Sequence, residues 1–376
     1  MSCADGRPAK HMNRRAGASN AERRRTLSPV EAKMAKTYRH LWSKIRSFEF
    51  LHAAYLKARR GKRFDMETLR FSADLEVELL RLQSELDTGA YQTGAYRRFS
   101  VHEPKRREVA ALPFRDRVVQ HALVAALEPI YETRFIGDSY ACQAGKGIHA
   151  GADRLTALLR QAHRHWPRTY VLKADVSKFF PSVDHVRLKE ILRRYVGCSP
   201  TLALCDGIID SWGADARKGI PIGNLTSQLF ANVYLHELDE FVKHQLRWKM
   251  YLRYMDDTVF LGPDKGDLHD LQMEMGGFLD DCLSLHLNPK TAIFPAAQGV
   301  DFLGYRIWAT HRLLRKSSVL RMQRKLRAFA RRYSEGEMEL ADIQACVMAW
   351  LGHAGHASTY NLRKQIFERT IFRRER

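Results

Sequence analysis

Hydrophobic and polar positions follow two different periods along this chain. From Val30 to Arg60, and again from Met66 to Leu86, apolar residues recur at three and four, as in Leu75, Leu79, Leu82 and Leu86, which predicts two amphipathic helices. Tyr96 to Phe114 instead holds two β-prone runs flanking Pro104 and Lys105. This predicts a hairpin with Arg97, Arg98, Lys105, Arg106 and Arg107 at or near its tip. Val118 to Leu127 reads as a helix with a core-like face. Thr169 to Leu192 starts as a buried strand ending in Asp175, turns through Pro181 and continues as a helix capped near Ser182 or Asp184. Lys218 to Leu246 is a loop punctuated by Gly and Pro, then a long helix with Leu235, Leu238, Val242 and Leu246 as its buried stripe. Lys249 to Gly262 predicts a hairpin turning at Asp256 and Asp257, and Leu268 to Leu285 a helix. A strand follows Lys290, and Val300 to Trp308 forms a further hairpin-like element. Leu313 to Arg376 is helical and basic, with Arg321, Arg324, Lys325, Arg327, Arg331 and Arg332 along one segment.

A chain of 376 residues with 45% hydrophobic content can bury two or three subdomains. Its charge narrows the choice of partner. The 62 Lys and Arg against 42 Asp and Glu leave +20, which favours a polyanion. Nucleic acid fits better than a membrane: the longest stretch without charged residues, Ile343 to Leu362, carries Gln344, His353, His356, Ser358, Thr359 and Asn361 and does not read as a spanning helix. The N-terminus has no apolar signal region, so a cytoplasmic location is expected. Residues 1 to about 28, with Arg14, Arg15, Arg23, Arg24 and Arg25, read as a disordered basic arm. The six cysteines form no Cys-x-x-Cys pair and read as thiols of a reducing compartment. His353 and His356 read as capping or packing residues on a helix rather than zinc ligands.

The chemistry concentrates at Asp256 and Asp257. Tight hairpins favour Asn-Gly or Asp-Gly, and two adjacent carboxylates add repulsion without relieving turn strain. The pair makes sense if hard divalent cations sit between the side chains, as in enzymes that join or break phosphodiesters. Asp175, a carboxylate at the end of a buried strand, is the candidate third ligand. Asp184, at a helix start, is better explained as a cap. Phe180, five residues after Asp175, is either a core residue or an aromatic lying against a nucleotide sugar. The basic hairpin is either a solvated surface or a finger that closes on a triphosphate.

In order, EPKRREVAALPFRDRVVQ, ADVSKFFPSVD, GIPIGNLTSQ, YMDD, LNPKT and FLGYRIW resemble the motifs of the reverse transcriptase family, from about Tyr96 to the end. The resemblance implies an α+β right-hand polymerase: fingers, a palm of antiparallel sheet backed by helices, and a small helical thumb. The implied layout is a basic arm at 1–28, N-terminal helices and fingers at 29–115, first part of the palm at 116–184, a fingers insertion at 185–222, palm with the YMDD hairpin at 223–310, and thumb at 311–376. It implies RNA-directed DNA synthesis with two Mg²⁺ ions, for which Mn²⁺ can substitute, held by Asp175, Asp256 and Asp257. Lys290 matches a position that protonates departing pyrophosphate. Lys105, Arg107 and Arg115 are expected near the dNTP, Phe180 at the sugar gate, and Ile222 and Gln228 around the incoming nucleotide.

Most of the family carries Gln-Gly and later Ser-Pro where this chain has Ile222-Gly223 and Ser227-Gln228. That variant is similar to reverse transcriptases of diversity-generating retroelements. It implies copying of a template-repeat RNA into cDNA with errors at adenines, an RNA/cDNA duplex as product, and a small basic accessory variability protein that forms a helical pentamer. It also implies a bacterial or phage-infected cell. The alternatives are a group II intron, retron or phage-defence reverse transcriptase, a non-catalytic RNA-binding scaffold, and an RNA-synthesising polymerase.

Overall fold

The computed structural model describes residues 36–102 and 106–374. The expected basic arm at 1–28, Lys105 and the end of the chain beyond Arg374 lie outside them. The first predicted helix is broken in two. Short α1 (Trp42–Ile45) stops at Arg46, and Ser47 takes an extended conformation whose hydroxyl accepts the Phe50 N–H to start α2 (Phe48–Ala58). The second predicted helix also divides: α3 (Met66–Ala73) and α4 (Leu75–Thr88) meet at Asp74, whose φ of −116° and ψ of 42° leave the helical region. The 3-4 pattern of α4 holds, with Leu79, Leu82 and Leu86 buried. The basic hairpin forms as β1 (Arg97–Val101) against β2 (Arg107–Ala111), antiparallel from Arg97–Ala111 to Val101–Arg107. Helix α5 (Phe114–Glu132) is longer than its predicted core and packs on α2.

The centre of the molecule is a four-stranded antiparallel sheet. After α6 (Ile148–His165) come β3 (Tyr170–Asp175), short α7 (Phe179–Ser182), α8 (His185–Arg193), α9 (Ser199–Asp210) and α10 (Leu225–Glu240). The hairpin of β4 (Tyr251–Tyr254) and β5 (Asp257–Gly262), then α11 (Lys265–Leu283) and β6 (Ala292–Pro295), complete this part, and the strands lie in the order β4-β5-β3-β6. Alternation along each strand gives the sheet two faces. Val171, Leu252, Val259 and Leu261 share one core with Leu155, Leu158 and Leu159 of α6. The other face, with Leu172, Tyr251 and Phe260, meets α10 and α11, whose junction is closed by stacking of Phe241 on Phe278 at 4.3 Å. Each such fully buried apolar side chain contributes about 1.5–3 kcal/mol.

A second antiparallel sheet, β7 (Val300–Phe302), β8 (Tyr305–Ile307) and β9 (Arg312–Leu314), joins the α6 core through Phe302, Tyr305 and Ile307. The C-terminal region is helical as predicted: α12 (Lys316–Ser334), α13 (Leu340–Gly355) and α14 (Tyr360–Glu368) close a small core of Met322, Leu326 and Ile366. Arg324, Arg327, Arg331 and Arg332 lie exposed along α12. His353 and His356 pack as expected: Tyr305 Oη lies 3.0 Å from His353 Nδ1, and His356 stacks on His149 at 3.7 Å. Among the described residues all three sheets are antiparallel, in keeping with the α+β class, and no helix is long and apolar enough to cross a membrane.

Candidate active site

Strand register brings the predicted carboxylates to one end of the central sheet. Asp175, the last residue of β3, lies directly opposite Asp257, the first residue of β5. The turn differs from the expected one. Tyr254 pairs with Asp257, so the two-residue connection is Met255-Asp256 and Asp257 belongs to the strand. Met255 takes φ of +54°, a conformation that glycine adopts freely and a methionine does not. Asp256 sits on this turn, near enough to Asp175 to feel its charge. Its carboxyl is pushed up to about 6, chiefly by burial and next by the Asp175 charge. Asp257 is likewise pushed up to about 6 by burial, while Lys173, 3.4 Å away and two residues before Asp175, opposes the rise.

These groups have the make-up of cation ligands. Half-buried carboxylates that repel one another favour a positive partner, and the Asp257 Oδ1 atom is itself buried without a hydrogen-bond donor. That donor chemistry is the oxygen-only set a hard divalent cation requires. The Asp175 charge acts on both Asp256 and Asp257, and Lys173 engages Asp257 alone. Among the described residues no three His, Cys, Asp or Glu side chains already converge on one point. Two neighbours were not foreseen. Asn288 donates from Nδ2 to Asp175 Oδ2 at 3.2 Å and from its backbone N–H to the Asp175 carbonyl at 2.7 Å. Lys173 carried a legible signal, since residues two apart on a strand share a face. Asn288 carried only its place in LNPKT.

The remaining predicted residues are placed differently from one another. Phe180, in short α7, and Ile222, in the loop before α10, are linked through the backbone: Ile220 N–H donates to the Phe180 carbonyl at 2.9 Å, and the Ile222 carbonyl accepts the Ala110 N–H of β2 at 2.8 Å. Phe179 takes the core position and leaves Phe180 half-buried, edge-on to it at 5.3 Å. Gly223 makes the β2 contact possible, because a Cβ there would lie 2.7 Å from the Ala110 carbonyl oxygen. Arg107, exposed on β2, is near enough for its charge to favour ionised Asp256. Arg115 is engaged elsewhere, in an ion pair with Glu85 of α4. Gln228 and Lys290 are exposed, with Lys290 N–H donating to Asn288 Oδ1 at 3.0 Å. Asp184 is a helix cap, as expected, accepting the Arg187 N–H at 3.1 Å.

The chain is similar to known proteins over much of its length. A family model described as reverse transcriptase (RNA-dependent DNA polymerase) matches residues 102–307. Protein YkfC of Escherichia coli is 29% identical over 287 residues, covering 65% of this chain and 74% of that protein. The group II intron-encoded protein LtrA of Lactococcus lactis is 27% identical over 183 residues, which is 46% of this chain but only 29% of LtrA. Among solved structures, telomerase from Candida albicans superposes with a TM-score of 0.44 at 13% identity, covering 64% of this chain and 49% of that one.

Proposed function

Because the chain belongs to the reverse transcriptase family and is thereby an RNA-directed DNA polymerase, we propose that it serves a diversity-generating retroelement. On this reading it copies a template-repeat RNA into cDNA mutated at adenines, together with an accessory pentameric protein. The observation that carries the catalytic part is strand register: Asp175 lies directly opposite Asp257, with Asp256 next to it on the turn. Asp175 and Asp256 would hold two Mg²⁺ ions, with Asp257 assisting. When bound, such ions lower the pKa of a primer 3′-hydroxyl and offset charge on the triphosphate.

The chain's own residues do the rest. Arg107 brings positive charge from the β1–β2 hairpin toward the site, where the leaving pyrophosphate develops negative charge. Phe180 crowds the position of a 2′-hydroxyl, and Lys290 supplies the proton to pyrophosphate. Ile222, in place of an amide side chain, provides no hydrogen bond to the incoming nucleotide. Discrimination then rests on base pairing and shape without that polar brace, which tolerates mispairs.

The test is to purify the protein with its candidate RNA and partner, copy a defined template and sequence the product. Substitutions concentrated opposite template adenines are expected; errors spread evenly over the four bases remove the mutagenic role and leave a reverse transcriptase. Similarity to LtrA favours a second reading, a group II intron-type enzyme. Accurate copying of all four bases would support it.

A further inference from the structure

We propose that Arg253 is a positioning residue for DNA synthesis, which fixes the Met255-Asp256 turn through the Met255 carbonyl. This inference rests on the reading of Asp256 as a catalytic carboxylate. Arg253 lies on β4 and is fully buried, an unusual place for a guanidinium. Its Nε and NH2 groups donate to the two carboxylate oxygens of Asp239 on α10, at 2.8 and 2.6 Å. Its remaining nitrogen, NH1, donates to Asn232 Oδ1 at 3.3 Å and to the Met255 carbonyl at 3.1 Å. Tyr251 Oη also donates to Asp239 Oδ1 at 2.7 Å, so the carboxylate takes three hydrogen bonds and the guanidinium cannot swing away without leaving a charge unpaired.

Stability alone does not call for this arrangement. Well-packed apolar residues of similar volume commonly replace a buried ion pair with no loss of stability. What the pair supplies is a rigid planar fork with one arm on the long α10 helix and one on the turn. The turn needs such a hold. Met255 stands at positive φ without the freedom of glycine, one residue before Asp256, and its carbonyl would otherwise be free to rotate with the peptide that carries Asp256. The backbone of Arg253 is also tethered, its N–H donating to the Asp138 carbonyl at 2.9 Å and its carbonyl accepting from Tyr140 at 3.0 Å. Helix α10 thereby sets the height at which Asp256 meets Asp175.

The experiment compares Arg253→Lys, the apolar pair Arg253→Met with Asp239→Leu, and Asp256→Ala. Lysine keeps a charge for Asp239 but has no second arm for Met255; the apolar pair removes both charges together. In primer extension, kcat is expected to fall about 10- to 100-fold in both Arg253 variants. The dNTP KM and the Kd for primer–template should stay within about threefold. Hydrogen exchange should accelerate in the peptide spanning residues 250–260 and nowhere else in the central sheet. A folded Arg253→Lys with kcat within about threefold of wild type overturns the proposal. So does exchange that rises throughout the sheet as Tm falls, or failure of both Arg253 variants to fold, since Arg253 is then a stability residue. Asp256→Ala keeps the two ideas apart: if it still extends a primer, the catalytic reading fails whatever Arg253 does.

Discussion

Asp256→Asn should make the metal-free protein more stable while abolishing synthesis. In the folded chain the Asp256 carboxyl is pushed up to about 6 from an ordinary value of 3.8, by burial and by Asp175. A folded-state value above the unfolded one means that folding takes up a proton. The penalty for an ionised Asp256 is therefore fully present above about pH 6, shrinks as the pH falls and is gone near pH 4. A rise of about two units corresponds to roughly 3 kcal/mol. Because the repulsion is shared with Asp175 and the site is partly open to water, about half of that to all of it, ~1.5–3 kcal/mol, should be recovered when the charge is removed. An unfolding entropy of about 2.1 cal/mol/K per residue over 376 residues makes each degree of Tm worth about 0.8 kcal/mol. The variant should thus melt about 2–4 °C above wild type at pH 7.5 in a chelator. Scanning fluorimetry at pH 7.5 and pH 4, each with and without Mg²⁺, reads this directly. The gain should disappear at pH 4, and Mg²⁺ should raise the Tm of wild type more than that of the variant. An Asp256→Asn protein that melts below wild type in chelator at pH 7.5, or a gain that persists at pH 4, would refute the account of the site as like charges awaiting a cation.

Phe180→Ala should admit ribonucleotides, lowering the preference for dNTP over rNTP at least about tenfold; unchanged discrimination in single-nucleotide incorporation rules out a sugar-gate role. His236 is buried beside Phe135 and pushed down to about 4 by that burial, so the folded protein refuses a proton that the unfolded chain accepts below about pH 6.5. Stability should be full above pH 6.5 and fall as the pH drops toward 4; at pH 5 the loss relative to His236→Asn is about 2 kcal/mol by urea titration, and parallel pH profiles for the two proteins count against it. Gly223→Ala meets the Ala110 carbonyl oxygen at 2.7 Å with φ at +121°, so it should cost at least about 1–3 kcal/mol and raise the dNTP KM by moving Ile222 off β2. A folded variant with an unaltered KM would show that this contact does not set the nucleotide site.

The aspartates were legible in the sequence because nothing about folding explains them, and the buried run before Asp175 explains why it could reach the others. Their exact arrangement was not legible, because it follows from register. Pairing of Tyr254 with Asp257 and of Asp175 with Asp257 puts Met255, a residue with no turn preference, at the strained position, and moves Asp257 from the turn to the strand. Local breaks were readable in part: Ser47 is an ordinary helix cap inside a periodic run, whereas Asp74 interrupts the next helix without capping it through its side chain. Tertiary partners left the least trace. In KMYLRYMDD, Arg253 has the look of an outward-facing polar residue on a strand, and only Asp239, fourteen residues earlier on α10, turns that side of the strand into a place where a guanidinium can be buried. The same reasoning applies to Asn288, whose two bonds to Asp175 depend on the chain returning after α11. Sequence shows most clearly the groups whose presence costs stability, since their chemistry has no other excuse. The groups that hold them in place are satisfied in the fold and therefore look unexceptional until the fold is known, and that is why the positioning of Asp256 has to be sought in Arg253 and α10 rather than in the motif itself.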